Sequence, residues 1–370
     1  MHHLYLHLPF CRRRCAYCDL SIAVRRIVPV DDLVRALEGE LARHAPARAR
    51  APLATVYLGG GTPSLLGGAG IARVLDAVRG RFDVEPGAEI TLEANPDDVT
   101  PDAARAWRRA GVNRLSLGAQ SFDEGVREWM HRTHDPAQIM RAADAARAAG
   151  LDDLSLDLIF ALPSALGRDW DRDLSHALAL APRHLSLYGL TVEEGTPLGR
   201  WRARGDVREA PEEKYEREFL AAHARLSAAG FEHYEVSNYA LPGARARHNG
   251  AYWRRVPYLG VGPSAHSFDG ARRWWNRREY ADWARTVLAG GDPVAGGEDL
   301  DAGAEAAERV YLGLRTRDGL AATPAELEAA RPWVESGWAA AEEGRLTLTP
   351  QGWLRLDALA AHLTALPARS

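Results

Sequence analysis

From residue 4 to about 190, short apolar runs alternate with stretches in which apolar residues return every three or four positions. The runs Leu4–Leu8, Thr55–Leu58, Glu89–Leu92, Arg114–Leu117, Leu154–Leu158 and His184–Leu187 have the length and apolar character of strands in a buried parallel sheet. Between them, Asp31–His44, Gly70–Arg79, Pro101–Ala110, Pro136–Ala149 and Arg168–Leu180 carry the helical period. Thr100 before Pro101 and Asp135 before Pro136 are helix starts, an N-cap followed by a first-turn proline, and Gly111 and Gly150 stand where C-terminal caps are wanted. The pattern predicts an α/β chain with a partial (β/α)6 barrel. What favours a barrel over a doubly wound sheet is the position of the unusual residues. Each strand runs straight into a polar or glycine-rich stretch: the cysteine loop, Gly59–Ser64, Glu93–Pro96, Gly118–Ser121, Asp157 and Gly189–Thr191. Parallel barrels gather their sites at those strand ends.

Beyond Glu193 the pattern loosens. Pro211–Ala229 reads as a helix and Phe231–Val236 as a strand, while 237–278 has little periodicity but many Arg, Trp, Tyr, Asn and Gly residues. Ala304–Leu314, Thr323–Ala330, Arg345–Leu348 and Gly352–Leu363 then follow as helix, helix, strand, helix, a mainly helical, winged-helix-like C-terminal module. The expected domains are a barrel at 1–200, a barrel extension with a ligand-binding segment at 201–295, and the C-terminal module at 296–370.

Composition changes this picture little. The net charge is −4 over 370 residues and Lys214 is the sole lysine, so nucleic acid is not an expected partner. Glu305, Glu308, Glu326, Glu328, Glu342 and Glu343 argue further against a DNA-facing module and for a cover over the barrel or a docking unit. No apolar run approaches a membrane span and no leader pattern precedes the first strand, so membrane association is expected only through partners. All the cysteines, Cys11, Cys15 and Cys18, lie within eight positions, which excludes a disulfide framework and suits a reducing, cytoplasmic setting.

Those cysteines carry the chemistry. Structural zinc normally takes four ligands, and CxxC pairs usually come twice. Three thiolates spaced CxxxCxxC suit instead a [4Fe–4S] cluster with one iron left open to a small molecule, zinc remaining the other reading. Gly59-Gly60-Gly61-Thr62-Pro63 is followed by no lysine and is not a phosphate loop; it allows a close backbone approach or a plain turn. Glu93, Gln120, Arg132 and Asp157 are isolated polar residues at or near strand ends. Singly each suits a surface, but around one barrel mouth they could bind hydroxyls and a carboxylate, Arg132 bidentately.

The segments LYLHLPFCRRRCAYCDL, YLGGGTPSLL, EANPDDVT, RLSLGAQSFDEGVREWMHRTHDP, DLIFALP and HLSLYGLTVEEGTPL resemble the radical S-adenosylmethionine (SAM) group that holds oxygen-independent coproporphyrinogen III oxidase and HemW-type haem chaperones. The resemblance implies cluster ligation by Cys11, Cys15 and Cys18, and SAM contacts from Tyr5, Tyr17, Gly60, Gly61, Thr62, Glu93, Gln120, Arg132, Asp157 and Gly189. The oxidase carries a further cysteine where this chain has Leu20, and His248-Asn249-Gly250-Ala251-Tyr252-Trp253 fits the HNxxYW pattern of the chaperone branch. That branch implies haem as ligand with His248 as its contact. From the residues alone, His248 or His266 could ligate haem iron, with tryptophans as a flat wall and arginines for propionates, although a lone loop histidine is more often structural and Arg–Trp interleaving also suits single strands. The expected function is a haem chaperone that binds cluster, SAM and haem, accepts an electron from a reductant such as flavodoxin or ferredoxin, and delivers haem to acceptor proteins. The alternative is the coproporphyrinogen III oxidase activity itself.

Overall fold

The computed structural model describes residues 2–48 and 51–365. The predicted strands form as β1 (His3–Leu8), β2 (Leu53–Gly60), β3 (Val84–Ala94), β4 (Arg114–Gln120), β5 (Asp153–Phe160) and β6 (His184–Gly189). They pair in chain order and all in parallel. Helices α1 (Val30–Arg48), α2 (Gly67–Arg79), α3 (Pro101–Ala110), α4 (Glu124–Trp129), α5 (Pro136–Ala148) and α6 (Trp170–Ala179) make the crossovers. The sequence signals act as expected: Thr100 accepts from the Ala103 amide, and Asp135 and Gln138 form a reciprocal capping box.

The strands are less uniformly apolar than a sheet buried on both faces would make them. Leu4, Leu6 and Leu8 of β1 are fully buried in the main core. The residues between them, His3, Tyr5 and His7, sit in register with Thr55, Tyr57 and Gly59 of β2. Across the barrel the same alternation places Ser155 and Asp157 of β5 opposite His184 and Ser186 of β6. These side chains bond one another: His3 Nδ1 lies 2.9 Å from Thr55 Oγ1, Ser155 Oγ 2.8 Å from His184 Nδ1, and Arg114 donates to Asp153 at 2.8 Å. A barrel strand turns one face to the helices and one to the lumen, and here the lumen is polar.

Both edges of the barrel sheet are extended into one twelve-stranded sheet. After α7 (Pro197–Ala203) and α8 (Glu212–Ala228), β8 (Asn238–Ala240) adds antiparallel to β6, and β7 (Glu232–Glu235) pairs antiparallel with β8 at the edge. On the other edge β9 (Tyr258–Val261), reached through α9 (Arg247–Trp253), lies parallel to β1. Antiparallel β10 (His266–Phe268), β11 (Arg272–Asn276) and β12 (Val294–Asp299) follow. The stretch 237–278 is therefore regular, but its elements are of three to seven residues, too short to leave a period in the sequence. The boundary expected at 295/296 falls within β12.

Helix α10 (Tyr280–Leu288) leads to the C-terminal module, where α11 (Ala302–Arg315), α12 (Pro324–Ala329), α13 (Arg331–Glu335), α14 (Pro350–Trp353) and α15 (Leu356–Thr364) surround a small antiparallel sheet. Its strands are β13 (Leu320–Ala321), β14 (Ala339–Glu342) and β15 (Arg345–Leu348), with β15 in the middle. The helix expected over Gly352–Leu363 is broken at Arg355, whose φ of −118° is not helical. Several of the module's acids point inward: Glu308 pairs with Arg255 at 3.0 Å and Arg273 at 2.6 Å, and Glu326 pairs with Arg309. Glu308 fastens the module to the extension and Glu326 ties α12 to α11 within the module, so neither describes the surface it offers a partner.

Candidate functional site

The polar lumen opens at the strand ends into a cavity of about 550 Å³, lined by the cysteine loop and the tips of β2 to β6. Cys11, Cys15, Cys18, Tyr17, Gly60, Gly61, Thr62, Glu93, Gln120, Arg132, Asp157 and Gly189 all line it. Twelve residues picked from separate segments thus meet in one place. Among the described residues no three His, Cys, Asp or Glu side chains are drawn together as a preset metal trap. The fit to a cluster rests on donor chemistry: three soft thiols on one loop, with Thr62 Oγ1 3.4 Å from Cys11 Sγ and an Arg132 nitrogen 3.5 Å from Cys15 Sγ. Burial pushes the Cys11 thiol up to about 11 and raises Cys18 as well, so thiolates here need a compensating positive charge, which a metal centre supplies.

Two glycines allow the chain to pass this loop. Gly60 has φ +109°, and a Cβ there would stand 2.8 Å from the His7 ring. At Gly61 a Cβ would meet the Pro9 carbonyl carbon at 2.6 Å. Only glycine lets β2 end this close to the cysteine loop.

Glu93 accepts from Tyr57 OH at 2.8 Å and from the Gly60 amide at 3.1 Å. Burial, aided by nearby Asp157, still raises its carboxyl to about 7. Asp157, accepting from Ser116 Oγ at 3.1 Å, is raised by burial to about 6. Arg132 donates to Asn95 Oδ1 at 2.7 Å and to the Gly118 carbonyl at 2.8 Å, while its Nε is buried without a partner. A buried cation with a spare donor, two carboxyls and the cavity-lining backbone at Gly60–Thr62 match a zwitterion carrying an amino group, a carboxylate and hydroxyls.

Two expected contacts lie elsewhere. Tyr5 does not line the cysteine cavity; its hydroxyl donates to His7 Nδ1 at 3.1 Å and its ring faces a second cavity. His248 is only 1% exposed, with Nδ1 2.7 Å from Thr55 Oγ1 and Nε2 2.8 Å from Tyr252 OH. Its backbone amide donates to Glu89. With both ring nitrogens engaged beneath Tyr5 and Tyr57, His248 is a strut of the barrel floor and presents no nitrogen to a haem. Conversely, Asn95, Ser116 and Tyr188 line the cysteine cavity without having been singled out. For Ser116 and Tyr188 the available signal was alternation: each is a polar residue between leucines or beside one on its strand.

The second cavity, about 880 Å³, lies between the cysteine loop, β9 to β11 and helix α11. Tyr252, Trp253, Tyr258, Phe268 and Trp275 give it aromatic walls. Asp19 and Leu20 line both cavities, and Leu20, 50% exposed, stands at their junction.

Residues 5–177 match the radical SAM superfamily. The chain is 40% identical over 367 residues to Heme chaperone HemW of Mycobacterium tuberculosis, covering 97% of this chain and 94% of that protein. It is 41% identical over 264 residues to Heme chaperone HemW of Escherichia coli, covering 71% and 69%. The structure of coproporphyrinogen III oxidase (HemN) from Escherichia coli, described as a radical SAM enzyme, superposes with a TM-score of 0.84 over 98% of this chain and 90% of that one. At 24% identity that likeness speaks for the shared fold alone. Identity of this extent, over a radical SAM barrel with its cysteine loop in place, makes the chain a member of the HemW heme chaperone family.

Proposed function

We propose that this chain is a haem carrier: it takes up haem beside a barrel-mouth [4Fe–4S] and SAM site and passes it to acceptor proteins, with flavodoxin or ferredoxin as the class of reductant. The observation that carries the proposal is the aromatic-walled cavity of about 880 Å³ that adjoins the cysteine cavity at Leu20. Its size and its mix of apolar walls with a few polar groups suit a flat, largely apolar ligand with charged edges.

In this reading Cys11, Cys15 and Cys18 hold the cluster. Gly60, Gly61 and Thr62 offer backbone to the SAM amino group, Arg132 takes its carboxylate, and Glu93, Gln120, Asp157, Tyr17 and Gly189 enclose the rest. A bound cluster with SAM would supply one-electron chemistry here. The chain's own contribution is to orient the ligands, and to exclude water through Tyr17, Ile159 and Leu190.

The test is anaerobic. The cluster is reconstituted, and haem is titrated spectroscopically with and without SAM; in parallel the loaded protein receives SAM, reductant and coproporphyrinogen III. Saturable haem binding without protoporphyrinogen formation is the expected result. Sustained turnover to protoporphyrinogen would replace the carrier reading with the oxidase.

A further inference from the structure

The geometry points to His266 as the axial ligand of haem iron in the second cavity, with Arg278 receiving a propionate at its edge. This deepens the haem-carrying reading and rests on it.

Among the groups lining that cavity, His266 stands out by what it does not touch. His7 also lines it, but its Nδ1 meets Tyr5 OH at 3.1 Å and its Nε2 the Ser21 carbonyl at 2.9 Å. The phenols are engaged as well: Tyr252 OH with His248, Tyr5 OH with His7, and Tyr258 with Arg273. Neither ring nitrogen of His266 has a hydrogen-bond partner among the described residues. Burial lowers its pKa, which keeps the imidazole neutral at neutral pH, the form that binds iron.

The ring is also held in place. His266 is paired across β10 and β11 with Trp275, their ring centroids 5.8 Å apart and inclined by 31°, so an indole forms the wall beside the imidazole. The next residue, Ser267, is buried and receives the Gly260 amide at 2.9 Å. At Gly260 a Cβ would stand 2.0 Å from the His266 carbonyl oxygen, so the two strands close this tightly only over glycine. A ligand on a strand anchored in this way can hold iron at a fixed position.

Charge at the rim is selective. Arg255 is already paired with Glu308 and Glu305, and Arg273 with Glu308 and Glu298. Arg278 has no carboxylate partner among the described residues; its guanidinium meets only the Asp19 carbonyl, at 3.4 Å. A haem propionate supplies the missing anion.

The test uses the full chain with its cluster reconstituted, titrated with haemin and followed by optical absorption and electron paramagnetic resonance. The wild-type chain is expected to give a histidine-ligated spectrum. His266→Ala should lose that spectrum and bind haemin at least about tenfold more weakly. Added imidazole should restore the spectrum, which a merely structural role would not allow. His248→Gln should keep the wild-type spectrum, with cluster absorbance and SAM binding reporting folding in both variants. A His266→Ala spectrum identical to wild type would overturn the assignment. So would loss of the histidine-ligated spectrum in His248→Gln with cluster and SAM binding intact. If the wild-type chain takes up no haemin at all, the haem-carrying reading itself falls, which separates the two failures.

Discussion

Arg132 shows how much one side chain does at this site. Its guanidinium reaches the Cys15 sulfur, the Asn95 amide oxygen and the Gly118 carbonyl, and keeps a buried Nε in reserve. A lysine carries the charge, but its three donors are a point cluster without the planar fork and leave none over for a ligand carboxylate once these three groups are met. Arg132→Lys should therefore weaken SAM binding by about 10- to 100-fold, corresponding to about 1.4–2.8 kcal/mol. Calorimetric titration of SAM into the reconstituted protein measures this, and iron content per chain separates loss of SAM from loss of cluster. The contrast between His248 and His266 belongs to the same scale. Both are histidines in an aromatic, arginine-rich stretch, and only their hydrogen bonds distinguish a strut from a ligand.

Among the elements, the β2 tip and helix α1 set the geometry of the two cavities. At the β2 tip, Gly61→Ala forces a methyl against the Pro9 carbonyl carbon at 2.6 Å, a backbone atom that cannot swing away. The cysteine loop must shift, and a loss of about 1–3 kcal/mol in stability is expected together with impaired cluster retention. Urea unfolding and iron analysis of the reconstituted protein check the two parts.

Helix α1 contributes Glu40, which is fully buried. Its carboxyl accepts from the Gly262 amide at 3.0 Å, Asn276 Nδ2 at 2.6 Å and Trp283 Nε1 at 2.7 Å, tying α1 to the loop that leads into β10. Burial outweighs these donors and raises its pKa from 4.5 to about 7. The folded chain therefore holds a proton that the unfolded chain has released, and stability falls as pH rises between those two values. The shift corresponds to a contribution of about 3 kcal/mol across the window. Glu93 and Asp157, also raised by burial, add slope of the same sign. Glu40→Gln should flatten part of this dependence in urea midpoints recorded from pH 4.5 to 7. An unchanged slope would mean that Glu40 is ionised alike in both states.

For the whole molecule, the C-terminal module forms a wall. Glu308 and Leu312 of α11 line the second cavity, and Glu308 bridges Arg255 and Arg273 from the barrel extension. Removing that carboxylate leaves Arg255 with Glu305 alone, at 3.9 Å, and Arg273 with Glu298 alone, at 3.1 Å, as carboxylate partners among the described residues. Glu308→Ala should cost about 1–3 kcal/mol and make the module easier to release. Faster proteolytic cleavage between the extension and the module, with cluster binding retained, is the expected readout.

Much of the barrel was readable because its signals are local. Cysteine spacing, a glycine run after a strand, a threonine or aspartate ahead of proline, and short apolar runs each concern contiguous residues, and short-range sterics and capping bonds act on them directly. Family likeness then assembled Glu93, Gln120, Arg132 and Asp157 into one mouth, where the structure brings them together. The four-strand continuation past β1 was not legible, since elements of three to six residues are defined by their neighbours in the sheet rather than by a period.

The amino-acid order by itself determined the chemistry this chain can carry: three thiols on a loop after the first strand, and Leu20 where the oxidase has another. Tertiary structure decided which groups remain free to use it. Thr55 closes on His248 across 193 positions and Glu40 on Trp283 across 243. Such bonds cost chain entropy that only the packed fold offsets, so no local pattern announces them. They leave His248 in the barrel floor, put His266 at the rim of a cavity, and make Leu20 the side chain between two sites.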